Sequence, residues 1–412
     1  MEHLALVTVY QQHVGCGGSI RSSFKTGAKI IPAISAIFHR LARIRPCLAM
    51  LVGAALSGCS AHSFPLSNNF VYPAGAGDSL EVFADANGTL YPSGWQRYLH
   101  PQMSRKRPGE GRWMAGSLLA QSSPKSRFRS LIERDELRQL EEIKGFALRH
   151  KRIFILVHGY NASVAESAAP FAAIESELDL KPGDGVIRFY WDGLIGKGVG
   201  AIKVWFNAAN DSQLVGSRGL RDVLDQIDGR EIYLFAHSRG ASVVMSALGN
   251  PVHDARFFSK MTQHARGWGK DYSNFLSPGP LAEHGNSLHI VMLAPAIDRI
   301  DFCDASEQPL TSKGFVCTKF RALGAQVKSF AYTVNSDDPI LSKSILSSRA
   351  FNPTGLGYRA DVGRQLKTER YAIMQEYVFE KPESFHAFKD YAAHPVFLRM
   401  LSDLGIGKPM PR

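Results

Sequence analysis

Cysteine is scarce in these 412 residues, and the five that occur form no Cys-x-x-Cys pair and join no His/Cys cluster, so no metal site is expected. Basic residues are not gathered into an arginine-rich run interleaved with aromatics, which argues against a nucleic-acid partner. The most pronounced apolar run near the N-terminus, residues 47–56, is too short to span a bilayer as a mature helix. Neither internal repeats nor low-complexity tracts occur. Gly196-Lys197-Gly198-Val199-Gly200 lacks the Gly-Lys-Ser/Thr ending and the full dinucleotide spacing of phosphate-binding loops, so it reads as a flexible loop. Nothing in the sequence calls for a cofactor.

What is present is ordinary for a folded chain. A hydrophobic share of 45% and a charged share of 21% are far from the signature of disorder. The length suits one large α/β unit with extensions. The net charge of +11 is partly an N-terminal feature: residues 1–58 hold six basic side chains and one acidic, leaving 42 basic against 36 acidic residues and a net +6 beyond them. The remaining surface is only mildly basic.

The N-terminal segment has the layout of an export signal. His39-Arg40-Leu41-Ala42-Arg43-Ile44-Arg45 is basic, Cys47 to Leu56 is apolar, and the run closes on Leu56-Ser57-Gly58-Cys59. This ending resembles the lipobox of bacterial lipoproteins, and the resemblance implies cleavage before Cys59, lipidation of its thiol and attachment to a membrane of the cell envelope. On that reading residues 1–58 are a leader and 59–77 a polar, turn-rich tether. Cys16 and Cys47 would be removed and Cys59 modified. Cys303 and Cys317 then remain, in an exported protein, as candidates for one disulfide closing a loop rich in turn formers.

From residue 78 onward the pattern is that of alternating strands and helices. Leu80, Val82 and Phe83 followed by Asn87-Gly88 predict an opening hairpin. Leu131, Leu137, Leu140, Ile143 and Ala147 recur at helical spacing. Short apolar runs follow at 153–157, 186–191, 232–236, 288–294, 327–334 and 375–379, of the kind buried on both faces of a parallel sheet. The expectation is an α/β fold with a doubly wound, mostly parallel sheet: an N-terminal extension with the first strands over 78–150, and a main domain over 151–412. The long segment 250–286 between two core strands is read as a cap-like, substrate-shaping insertion.

The chemistry centres on Ala236-His237-Ser238-Arg239-Gly240, which follows a strand and opens a helix. This resembles the nucleophile elbow G-x-S-x-G of α/β-hydrolases, with Ala236 in place of the first glycine. Upstream, Val157-His158-Gly159-Tyr160-Asn161 is similar to the His-Gly oxyanion loop of that superfamily. The resemblance implies that the backbone amides of Tyr160 and Arg239 form the oxyanion hole, with the His158 side chain structural. Downstream the order serine, acid, histidine is expected. The wider set of His158 to Asn161, Ala294-Pro295-Ala296-Ile297-Asp298 and Asp337 to Leu341 resembles a bacterial α/β-hydrolase family of unknown function over residues 150–402.

Carried over residue by residue, the resemblance gives Ser238 as nucleophile, Asp338 as acid and His386 as base. Asp337 is the close alternative for the acid and Asp298 a third, and His394 is the alternative base. The implied activity is hydrolysis of a carboxylic ester or related acyl bond of a small-molecule or lipid substrate. An acyltransferase using the same residues, and a lipoprotein whose hydrolase-like domain binds without turnover, are the competing readings.

Overall fold

The computed structural model describes residues 78–91, 125–193, 195–196, 199–249, 279–304, 319–342, 354–380 and 383–409. Among them eight strands form one sheet in the order β2-β1-β4-β3-β5-β6-β7-β8. The strands are β1 Asp78–Ala84, β2 Leu90–Tyr91, β3 Arg152–Val157, β4 Asp184–Trp191, β5 Glu231–His237, β6 Ser287–Leu293, β7 Val327–Val334 and β8 Met374–Val378. Only the β1–β2 hairpin is antiparallel; every other neighbour pair runs parallel. The strands read as unbroken apolar runs because both faces are covered. All eight residues of β4 are buried, as are all but the first of β3 and β5.

Alternation along each strand divides the core into two layers. Phe154, Leu156, Tyr190, Tyr233 and Phe235 point to one face, where they meet Phe171 and Ile174 of helix Val164–Glu177 and Phe397 and Met400 of helix Pro395–Asp403. Ile153, Ile155, Val157, Ile232 and Leu234 point to the other, against Ile143 and Phe146 of helix Lys125–Arg149 and Val243 and Val244 of helix Gly240–Ala247. This is the doubly wound α/β arrangement that the sequence predicts. Arg188, in the middle of β4, is buried through paired bonds to Glu175 at 2.6 and 2.9 Å and one to Glu81 at 3.1 Å.

Several predicted segments change in detail. The opening hairpin exists, but β1 also pairs with β4 over its whole length, so the N-terminal extension is part of the main sheet. Within the glycine-rich loop, Val199 and Gly200 open a helix that runs to Val215, drawn into order by the burial of Val204, Trp205 and Ala208. The cap-like insertion lies largely outside the described residues, as do Cys59 and Cys317. Its returning end is held by Arg221, which donates to the carbonyls of Gly279 and Pro280 at 2.7 and 2.8 Å. Cys303 is buried directly after the 3-10 turn Arg299–Phe302.

Candidate active site

Parallel strands bring their C-terminal ends to one edge of a sheet, where open α/β proteins collect their functional loops. Here that edge receives the segments leaving β3, β5, β6, β7 and β8.

The segment after β5 carries Ser238 at φ 51°, a left-handed conformation that L-residues other than Asn and Asp adopt at a cost of about 1–2 kcal/mol. The surroundings impose it. The Ser238 amide donates to the Leu293 carbonyl at 2.9 Å, and its own carbonyl accepts from Ala296 at 3.0 Å and Ala241 at 3.1 Å. Ala294 itself sits at φ 46°, its amide donating to Thr333 Oγ1 at 2.9 Å. The turn needs glycine at two places. A Cβ on Gly240 would lie 2.6 Å from the His158 carbonyl oxygen and 2.8 Å from that of Val157, and one on Gly159 would lie 3.0 Å from Ser238 Cβ. The elbow and the end of β3 therefore pack backbone against backbone. Ala236, where a glycine is usual, fits because its methyl is buried among the apolar side chains of the sheet.

Three side chains meet at this edge. His386 Nε2 is 3.0 Å from Ser238 Oγ, and His386 Nδ1 is 2.8 Å from Asp338 Oδ2. With its proton on Nδ1 the imidazole donates to the carboxylate and leaves Nε2 to accept from the serine hydroxyl. Asp338 is fully buried, with four bonds to its two oxygens: Oδ1 accepts from the amides of Ile340 at 2.9 Å and Leu341 at 3.0 Å, and Oδ2 from His386 and from the Tyr391 hydroxyl at 2.8 Å. The alternatives go elsewhere. Asp337 is exposed, Asp298 caps the 3-10 turn at residue 299, and His394 caps helix Pro395–Asp403 while contacting Glu383 at 3.2 Å.

Three supporting groups are absent from the sequence reading. Tyr391 is one. Asn335 is the second: its side-chain amide donates to the Glu383 carbonyl at 2.7 Å and accepts from the Glu383 amide at 3.2 Å, tying the segment that carries Asp338 to the one that carries His386. His237 is the third. It lies buried and stacked on Phe388, with Nε2 2.9 Å from the His386 carbonyl, and burial holds its pKa well below the usual histidine value, so it donates as a neutral ring. Only distant pairing in the fold reveals these roles.

The loop after β3 is equally fixed. His158 Nδ1 donates to the Gly159 carbonyl at 2.6 Å, its Nε2 accepts from the Trp191 amide at 3.0 Å, and its carbonyl accepts from the Trp191 indole at 2.7 Å. Burial lowers its pKa to about 4. This is the structural role expected from the sequence. Asn161, at φ 56°, accepts from the Gly196 amide at 2.7 Å. Tyr160 and Arg239, whose amides are the expected oxyanion donors, flank the contact between Gly159 and Ser238 and pack on the same indole. The Tyr160 ring meets Trp205 edge-on at 4.9 Å, and the Arg239 guanidinium lies 5.4 Å from its centroid. Among the described residues no group of three or more His, Cys, Asp or Glu side chains is placed to hold a metal ion.

No curated protein matches the chain. The solved structures to which the chain is similar are distant. A bacterial heroin esterase is 13% identical, covering 61% of this chain and 72% of the esterase with a TM-score of 0.26. RedJ, solved with a polyethylene glycol molecule in its active site, is 11% identical over 63% of this chain and 90% of its own, with a TM-score of 0.23. The family model of α/β-hydrolases of unknown function (DUF900) matches residues 138–351, just over half of the chain, and spans the His-Gly loop, the elbow and Asp338. With its mostly parallel sheet and strained serine turn, the chain belongs to this family of α/β-hydrolases.

Proposed function

We propose that the protein is an exported serine hydrolase that cleaves a carboxylic ester or related acyl bond, with Ser238 as nucleophile, His386 as general base and Asp338 as the acid that orients it. The observation that carries this reading is the unbroken chain from Ser238 Oγ to His386 at 3.0 Å and on to Asp338 at 2.8 Å, at the tip of a strained turn. A serine hydroxyl is a weak nucleophile at neutral pH and needs a base within hydrogen-bond reach. As Oγ bonds to the carbonyl carbon, its proton passes to Nε2, and the imidazolium is stabilised by the buried carboxylate. Charge developing on the carbonyl oxygen meets the amides of Tyr160 and Arg239. The C–O bond to the alcohol then breaks, and Nε2 returns the proton to that oxygen. Water repeats the sequence on the acyl-enzyme and releases the acid.

Labelling by a fluorophosphonate probe, blocked in Ser238→Ala, followed by turnover of a p-nitrophenyl ester chain-length series, tests this. Failure of wild-type protein to label would point to a binding domain without turnover. Capture of the acyl group by an added alcohol in preference to water would make it a transferase.

The basic, apolar and Leu-Ser-Gly-Cys order at the N-terminus supports a companion proposal: the protein is held to a bacterial envelope membrane by lipid on Cys59, with Cys303 and Cys317 joined. Several acyl chains on one cysteine would make attachment durable where a single chain is marginal. Cys59→Ser should abolish palmitate incorporation and release the protein from membranes. A nonreduced digest of envelope-derived protein should contain the Cys303–Cys317 peptide pair, and two unlinked thiols would exclude it.

A further inference from the structure

The Arg239 side chain has no part in the chemistry above, which uses only its backbone, yet its charge is buried beside the serine. It is 1% exposed, packed over Trp205, and its Nε and Nη2 are buried without a hydrogen-bond partner. Nε and Nη2 form one edge of the guanidinium, and this protein shows repeatedly what that edge is for. Arg188 presents it to Glu175 at 2.6 and 2.9 Å, Arg359 presents it to Asp361 at 3.1 and 2.7 Å, and Arg152 presents it to both oxygens of Asp184. In each case two parallel bonds reach one carboxylate, the arrangement that the planar fork favours. Among the described residues no carboxylate stands within ion-pair distance of Arg239. Asp301 lies near enough to influence it but spends its Oδ2 on the Asp298 amide at 2.9 Å. Burial draws the Arg239 pKa down to about 10, which still leaves it charged at neutral pH. A buried, charged fork whose Nε and Nη2 make no hydrogen bond is costly even with Asp301 nearby, because attraction at a distance does not replace the bonds lost on leaving water.

We infer that the Nε/Nη2 edge of Arg239 receives a carboxylate borne by the substrate, so that the ester this protein cleaves carries an anionic group close to the scissile bond. Arg239 directly follows Ser238 in the chain, which confines that carboxylate to within one arginine side chain of the reacting carbon. Trp205 forms the flat wall behind the guanidinium. The position of the scissile bond rests on the reading of Ser238 as nucleophile, whereas the charge of the ligand rests on the buried fork alone.

Two substrate pairs test this in the full-length protein. p-Nitrophenyl hydrogen glutarate against its methyl ester places the charge on the acyl side, and 4-carboxyphenyl butyrate against its methyl ester places it on the leaving group. One pair should show a preference for the acid in kcat/KM on the order of tenfold to a hundredfold, the range of paired bonds to a charged group. Arg239→Met should bring that ratio to about one, mainly through KM, and Arg239→Lys should keep part of it. Because the ratio is internal to each variant, a change in absolute rate does not affect the comparison. If Arg239→Met does not fold, the wild-type and Arg239→Lys ratios decide. Calorimetry on Ser238→Ala with monomethyl glutarate and dimethyl glutarate reads binding without turnover, so a failure of the hydrolase reading remains distinguishable from a failure of this one. Equal handling of acid and methyl ester in both pairs, together with equal binding of the two glutarates, would overturn the inference. So would an acid preference that survives in Arg239→Met.

Discussion

Asp338→Asn alters a single atom and should disable the enzyme through a neighbour. Asp338 Oδ1 accepts from two amides, Ile340 at 2.9 Å and Leu341 at 3.0 Å, so the one oxygen of asparagine will be held there. Its NH2 then faces His386 Nδ1 and the Tyr391 hydroxyl, each 2.8 Å from Oδ2 in the native protein. The tyrosine hydroxyl can turn and accept. The imidazole can meet a donor only by surrendering its Nδ1 proton, so it takes the tautomer with the proton on Nε2. That nitrogen, 3.0 Å from Ser238 Oγ, becomes a donor and can no longer take the serine proton. In a serine triad the wrong tautomer costs about 10⁴ in rate, which corresponds to roughly 5 kcal/mol of transition-state stabilisation. Loss of bonds to a charged group should lower stability by ~1–3 kcal/mol, measurable by urea denaturation. Asp337→Asn is the control: the side chain is exposed, and its replacement should leave stability within ~0.5 kcal/mol and turnover close to native. Initial rates on p-nitrophenyl butyrate, with circular dichroism to verify folding, make the comparison. Asp338→Asn within tenfold of the native rate, or an equal loss in Asp337→Asn, would refute the tautomer argument.

Three further outcomes are expected. Ser238→Ala, His386→Ala and the double variant should fall to nearly the same residual rate, on the order of 10⁶ below native if the precedent of other triads transfers, whereas losses that multiply would show that the two side chains do not act as a unit. Gly240→Ala should cost ~1–3 kcal/mol in denaturant unfolding and depress turnover, because its methyl would stand 2.6 Å from the His158 carbonyl and push the elbow from the loop bearing Tyr160; native behaviour would mean that this backbone contact is loose. Stability should also decline on acidification. His158 is held neutral to about pH 4 by burial, so between its unfolded value near 6.5 and that pH the unfolded chain binds a proton that the folded one refuses. The loss amounts to about 3 kcal/mol by pH 4, present in native protein and reduced in His158→Gln when urea midpoints at pH 7 and pH 4.5 are compared.

Much of this architecture is legible in the sequence because parallel strands buried on both faces leave unbroken apolar runs, and Val327–Val334 is found as predicted. Ser238, Asp338 and His386 are legible because each closely follows such a run or the turn after it. Asp338 and Asp337 are harder to separate, since both lie in one turn. Burial and the amides of Ile340 and Leu341 single out the former, and those depend on how the turn closes. The roles of Tyr391, Asn335 and His237 are invisible for a related reason: each acts on a group brought to it by the packing of separate segments. The helix Val199–Val215 is concealed by its opening glycine, which argues locally for a loop until the burial of Trp205 outweighs it. Arg239 is legible only as a backbone donor, for the environment of a long side chain is a tertiary property.

The hairpin strand that joins the sheet beside β4 also sets where the first described residue stands relative to the serine turn. Because β1 runs parallel to β3, β4 and β5, Asp78 stands at the end of the sheet opposite the one where Ser238 emerges. Val82, Phe189, Val157 and Ala236 stand level across the sheet, so Ser238 lies some six residues beyond Asp78, about 20 Å along the strand direction. The seven strands that run parallel thus give the sheet two unlike rims: one where the chain turns into each strand, and one, about 20 Å away, where the segments bearing Ser238, Asp338 and His386 gather.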